Sequence, residues 1–187
     1  MTRTWVGVLA LVALLLMGTA TAQAGEPVLP FQATLQMIEN CESSSSPSDQ
    51  CLGFAQWLTE CQVKGYDWGF QVVRAGHATH LGRVTGFEQG CLEFTETGVA
   101  RSNVQLTVTA RSGRDKLTIF GYALFDFAEW TAPLNPPPAT GTFTITGGTG
   151  RYAQARGSGT LGNVFGEGGP GTIMYLDGFL RTSLDCR

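Results

Sequence analysis

The side chains best placed to do chemistry in this chain are two histidines, a few isolated carboxylates and five cysteines. His77 and His80 stand three apart in HATHLGRVTG, residues 77–86. On an extended strand, side chains alternate between faces, so the two imidazoles point to opposite sides. A metal site needs its ligands on one side, and neither a helical H-E-x-x-H nor a C-x-x-C accompanies them. No metal and no cofactor is expected. His80 shares its face with the small residues Ala78 and Gly82 and with Val84, which makes it the inward candidate. There it acts either as a hydrogen-bonded core histidine or as the acid or base of a pocket. Asp126 and Asp177 lie on apolar stretches. Inside a small barrel their pKa rises unless they are paired, which suits a proton donor near neutral pH. The alternative puts both at strand ends, solvated or bonded to Arg156 or Arg181. No G-x-S-x-G occurs, and Glu93 and Glu96 do not form an adjacent pair on one face.

The stretch FTITGGTGRYAQARG, residues 143–157, raises a different chemistry. Gly147, Gly150 and Ala153 give G-x-x-G-x-x-A after an apolar strand, close to a dinucleotide-binding turn. That turn requires a full helix, a parallel strand and an acidic residue about 20 positions on. Here Gly157 and Gly159 stop any helix within two turns, and the chain ends 37 residues after Gly150. The glycines Gly147, Gly148, Gly150 and Gly157 read instead as a tight corner that needs positive φ. Arg156 in the same corner is either a ligand contact or a structural donor to carbonyls freed by the turn. Tyr152 reads as an aromatic plug.

The elements that position these residues follow from texture. Trp5 to Met17 is apolar, Arg3 precedes it and Ala22-Gln23-Ala24 fits a cleavage site, so residues 1–24 read as a signal peptide. The mature chain then has 163 residues and a charge of about −4, with no block of like charge. Such a chain is one domain, secreted or periplasmic, and a poor partner for nucleic acid or, after signal cleavage, for a membrane. Export makes disulfides durable. Cys41 with Cys51, Cys61 with either, and Cys91 with Cys186 are among the possible pairings, and spacing alone does not choose. Residues 25–65 form a cysteine-containing extension. In it Phe31, Ala33, Leu35 and Met37 alternate while Phe31, Leu35 and Ile38 suit a helix, so that segment stays undecided. Phe54, Trp57, Leu58 and Cys61 share a helical face, with Ser48 or Asp49 as caps. From residue 66 to 187, eight strands are expected, at 66–73, 77–85, 91–97, 103–110, 116–127, 141–146, 159–165 and 172–180, with Ser112-Gly113-Arg114-Asp115 as one turn. The fold class is all-β: an eight-stranded antiparallel up-and-down barrel preceded by a short helical segment. The 116–127 and 172–180 stretches are apolar on both faces. That suits cover by the N-terminal segment or by another subunit, as in a dimer or trimer.

Two stretches carry a resemblance. GTFTITGGTGRYAQARGSGTL, residues 141–161, resembles the G-G-T-G-x-F/Y-x-x-A-R-G signature of dirigent proteins and the matching corner of allene oxide cyclase-like barrels. HATHLGRVTG is similar to the A-T-H-L-G-R element of their secreted bacterial relatives. The resemblance spans roughly residues 66–181 and implies a calycin-like barrel, often trimeric, that guides radical coupling or cyclises a reactive substrate. Cys41 to Cys61 is not part of that pattern.

Three functions follow as expectations. The first is a barrel that binds a small apolar molecule, or guides its reaction, with Tyr122, Tyr175, Trp130 and Arg156 as contacts. The second is a cyclase or isomerase with a buried acid, Asp126 or Asp177, beside His80. The third is a non-catalytic extracellular interaction protein with a filled interior. A continuous pocket above about 300 Å³ separates the first two from the third.

Overall fold

A computed structural model describes residues 27–44, 46–127, 138–165 and 172–182. The signal segment 1–24, Trp130 and Cys186 lie outside the described residues. Within them, eight antiparallel strands close into a barrel. They are β1 (Val28–Asn40), β2 (Trp68–Ala78), β3 (Gly82–Phe94), β4 (Val99–Ala110), β5 (Lys116–Asp126), β6 (Ala139–Thr149), β7 (Arg156–Phe165) and β8 (Thr172–Arg181), with one helix, α1 (Phe54–Val63), between β1 and β2. Each strand pairs with its neighbours in sequence, and β1 closes the ring on β8 from Val28–Arg181 to Gln36–Ile173. Closure leaves no edge to aggregate.

The expected number of strands is right, but two of the members differ. The undecided segment is β1: Phe31, Ala33, Leu35 and Met37 are buried while Gln32, Thr34 and Gln36 face out. Its period of two prevails because both edges find partners, β2 and β8. The barrel therefore begins at Val28, inside the segment read as an extension. The expected strands at 77–85 and 91–97 are not separate elements. The first straddles the β2–β3 turn and the second is the end of β3 plus the following loop. Gly86 and Gly90, which looked like turn signals, lie within β3. At Gly90 a Cβ would sit 2.6 Å from the Phe70 ring, so the glycine gives space to an aromatic. Helix α1 also starts later than expected. Its N-cap is Gly53 and no side chain caps it, while the Ser48 N–H is bonded to Glu39 Oε1 at 2.9 Å.

All eight strands contribute inward residues to one apolar cluster that includes Phe31, Leu35, Leu106, Ile119, Phe143 and Leu180. Phe31 and Phe143 meet edge-on across it, 6.0 Å between centroids. A single 3₁₀ turn, Gly150–Tyr152, closes one end, and no longer helix leaves the glycine corner. Tyr152 is buried there and donates its hydroxyl to the His80 carbonyl at 2.9 Å. Burial pushes the phenol above its ordinary pKa, so it remains a donor at neutral pH.

Of two disulfides, Cys41–Cys51 closes the loop after β1, which packs on Val73 of β2, and Cys61–Cys91 fastens α1 to the outside of β3. The second replaces the expected Cys91–Cys186 option. Together they suit an oxidising compartment. The Trp57 indole N–H donates to the Gly90 carbonyl at 3.2 Å beside this link.

Candidate functional site

The proposed acid–base residues are not brought together. His80 occupies the β2–β3 turn with φ 66°, is exposed, and contacts the Pro30 carbonyl through Nε2 at 2.9 Å. It was expected inward because the stretch read as a strand; the turn removes the alternation that put it there. Asp177 is on the outer face of β8 and accepts from Gln32 Nε2 at 3.3 Å. Asp126 ends β5 at the opposite end of the barrel from the His80 turn. His80 and Asp126 thus stand at opposite ends of the barrel, and Asp177 stands on its outer face. Tyr122 and Tyr175 are exposed and face outward, on β5 and β8. Arg156 is exposed and donates from Nη1 to the Thr146 and Ala155 carbonyls, at 2.5 and 2.8 Å. It ties the glycine corner and does not line the interior.

That corner has its own electrostatics. Gly150 has φ 61°, and a Cβ there would collide with Asp115 Oδ1. Asp115 accepts the Arg151 backbone N–H at 3.1 Å and its Nε at 2.9 Å. Those contacts, the backbone bond first, hold the Asp115 carboxyl below its ordinary pKa. A lowered folded-state pKa stabilises above the unfolded value of about 3.9 and is lost as pH falls through the folded one. Urea unfolding of wild type and Asp115→Asn should therefore differ by a constant amount near neutral pH and converge in acid. The difference should be small, because the Arg151 side chain is solvent-screened.

The interior holds a polar pair that sequence reading missed. Arg74 on β2 and Glu88 on β3 are each 1 % exposed, and Arg74 Nε lies 2.5 Å from Glu88 Oε2. Arg74 Nη1 also donates to the Thr172 carbonyl at 3.2 Å and to its hydroxyl at 3.4 Å. With a further bond to the Leu35 carbonyl at 3.5 Å, four strands, β1, β2, β3 and β8, meet on one guanidinium. The signal was present in the alternation. Phe70, Val72, Arg74, Gly76 and Ala78 share one phase of β2, while Val84, Gly86, Glu88, Gly90 and Leu92 share one phase of β3. A lone charge in each apolar phase demands a partner.

Among the described residues, two depressions lie outside the barrel. One of about 470 Å³ runs along α1 beside Gln56, Glu60 and Val63, and one of about 310 Å³ crosses β3–β5. The outer face from β5 to β8 is ordered in rows by the register. Phe120, Thr144, Ser158 and Phe179 form one row, and Tyr122, Thr142, Thr160 and Asp177 the next. Leu124, Thr140, Gly162 and Tyr175 form a third. Aromatic side chains on β5 and on β8, where Tyr175 and Phe179 stand either side of Asp177, therefore flank a valley of short side chains. Strand spacing sets the two flanks about 14 Å apart. Phe120 is 47 %, Tyr122 44 %, Tyr175 43 % and Phe179 37 % exposed. Comparison with protein-family models, curated proteins and solved structures finds no match for this chain.

Proposed function

We propose that this is an exported, calycin-like up-and-down barrel that works without covalent catalysis, as an interaction protein, and that its outer β5–β8 face binds a second copy of the chain. The observation that carries this reading is the inversion of the expected site. Tyr122 and Tyr175 face out, and a contiguous apolar cluster together with the Arg74–Glu88 pair occupies inward positions. The valley between the flanks is free of charge: no Asp, Glu, Lys or Arg occurs from Ala139 to Gly150 or from Gly157 to Phe165. Depletion of charge with enrichment of aromatics is the composition of an interface centre.

In sedimentation velocity at micromolar concentration the wild-type protein should run as a dimer or trimer. Phe120→Glu combined with Tyr175→Glu should run as a monomer with an unchanged circular dichroism spectrum, since both side chains are outward. A wild-type protein that sediments as a monomer would overturn the subunit contact.

A dirigent-like reading, in which a small apolar molecule enters the lumen, is favoured by one feature. Trp68, Phe70 and Phe127 pack against the inner cluster at the end opposite Tyr152, and all three retain some exposure. Release of a stoichiometric apolar compound on unfolding, seen by native mass spectrometry, would support it.

A further inference from the structure

We propose that the groove across β3, β4 and β5 is a binding site for an acidic saccharide. The depression of about 310 Å³ is lined by Gln50, Thr85, Phe87, Thr107, Thr109 and Lys116. Its volume is at the lower end of the roughly 300–1,000 Å³ typical of small-molecule sites. The register builds it in two transverse rows. Thr85, Thr109 and Lys116 stand side by side, and Phe87, Thr107 and Thr118 form the next row. The β1–α1 loop, pinned by Cys41–Cys51, brings Gln50 to its border.

The polar groups of this groove are unspent. Among the described residues, the hydroxyls of Thr85, Thr107 and Thr109, the Gln50 amide and the Lys116 ammonium make no side-chain hydrogen bond or ion pair. Thr107, Thr109 and Lys116 are nonetheless half-buried. Each hydroxyl offers a donor and acceptor sites together, and a sugar hydroxyl answers both. The Phe87 ring, partly exposed between them, supplies apolar surface for the C–H face of a pyranose. One ammonium with no carboxylate in the lining favours an anionic group on the ligand, and a uronate supplies that group on a pyranose that the threonines and Phe87 suit. A peptide added as a strand needs a free sheet edge, and the closed barrel has none. A nucleic acid needs many cations, and this lining has one.

This inference rests on the reading that the outer surface does the binding, but not on the subunit contact, because no residue of β6–β8 lines the groove. The test is isothermal titration of the full mature protein with trigalacturonate, with maltotriose and inorganic phosphate as separate arms. Trigalacturonate should bind, and maltotriose and phosphate at least tenfold more weakly. Lys116→Gln should weaken trigalacturonate at least tenfold, and Thr107→Val with Thr109→Val should do the same without lowering the melting temperature, since valine suits an outward strand position. The proposal is overturned by absence of heat with trigalacturonate at millimolar concentration, by equal affinity for maltotriose or phosphate, or by variants that bind as wild type. The same titration on the Phe120→Glu, Tyr175→Glu protein separates the two readings. Binding there leaves the groove standing whether or not the subunit contact exists.

Discussion

Arg74→Ala should destabilise the barrel by about 3–5 kcal/mol, and Glu88→Ala by a similar amount. For a domain of this size that lowers the melting temperature by roughly 6–20 °C. The cause is the partner left behind. With Arg74 gone, Glu88 remains 1 % exposed in a lumen whose other inward neighbours on its strand are Gly86, Gly90, Val84 and Leu92. A carboxylate stranded there must either stay charged without a counter-ion or take up a proton. The double substitution Arg74→Met with Glu88→Leu removes both charges and keeps most of the volume, so it should cost less than either alanine. A double-mutant cycle in urea reads this as a coupling energy of the sign expected for neighbours. A cost below about 1 kcal/mol for both single variants would show that the pair is solvated rather than enclosed.

The second large effect is expected at the link between α1 and β3. Cys61 and Cys91 are 30 residues apart, and closing a loop of that length is worth roughly 3–4 kcal/mol in the chain-entropy model. Cys61→Ser with Cys91→Ser should lose stability of that order, and the loss should be concentrated in one place. Helix α1 has 10 residues, no side-chain cap and no acidic residue in its first turn. Alone it is too short to persist in water. Its anchors are the disulfide, the Trp57–Gly90 hydrogen bond and the packing of Cys61 over Gly69. Amide exchange should therefore show α1 losing protection first while β4 to β7 keep theirs. Unchanged protection in α1 would mean that the helix is held by packing and not by the crosslink.

The barrel was legible where one physical rule governed a whole segment. β4 alternates cleanly, β5 and β8 are long apolar runs, and Ser112–Asp115 is the expected turn between β4 and β5. The N-terminal strand was ambiguous because Phe31, Leu35 and Ile38 satisfy a helical period while Phe31, Ala33, Leu35 and Met37 satisfy an extended one. Only the partners 145 positions away, such as Asp177 beside Gln32, decide between them. β2 and β3 were cut too short because glycine carries two meanings. Gly76, Gly86 and Gly90 looked like punctuation, yet they lie inside long strands where neighbouring groups come close. That same misreading put His80 on a strand and hid the shared phase that brings Arg74 and Glu88 together. Parity within a strand was readable for Tyr122 and Tyr175, but which phase faces the lumen depends on ring closure.

The claim on which the functional account depends is that the lumen is filled and the outer surface does the work. Native mass spectrometry of the protein purified from its source, compared with the same sample after denaturation, tests it most directly. The account predicts a mass equal to a whole number of chains, with no small molecule released on unfolding. A stoichiometric apolar compound that leaves only when the barrel opens would contradict it and would place the binding among Trp68, Phe70 and Phe127.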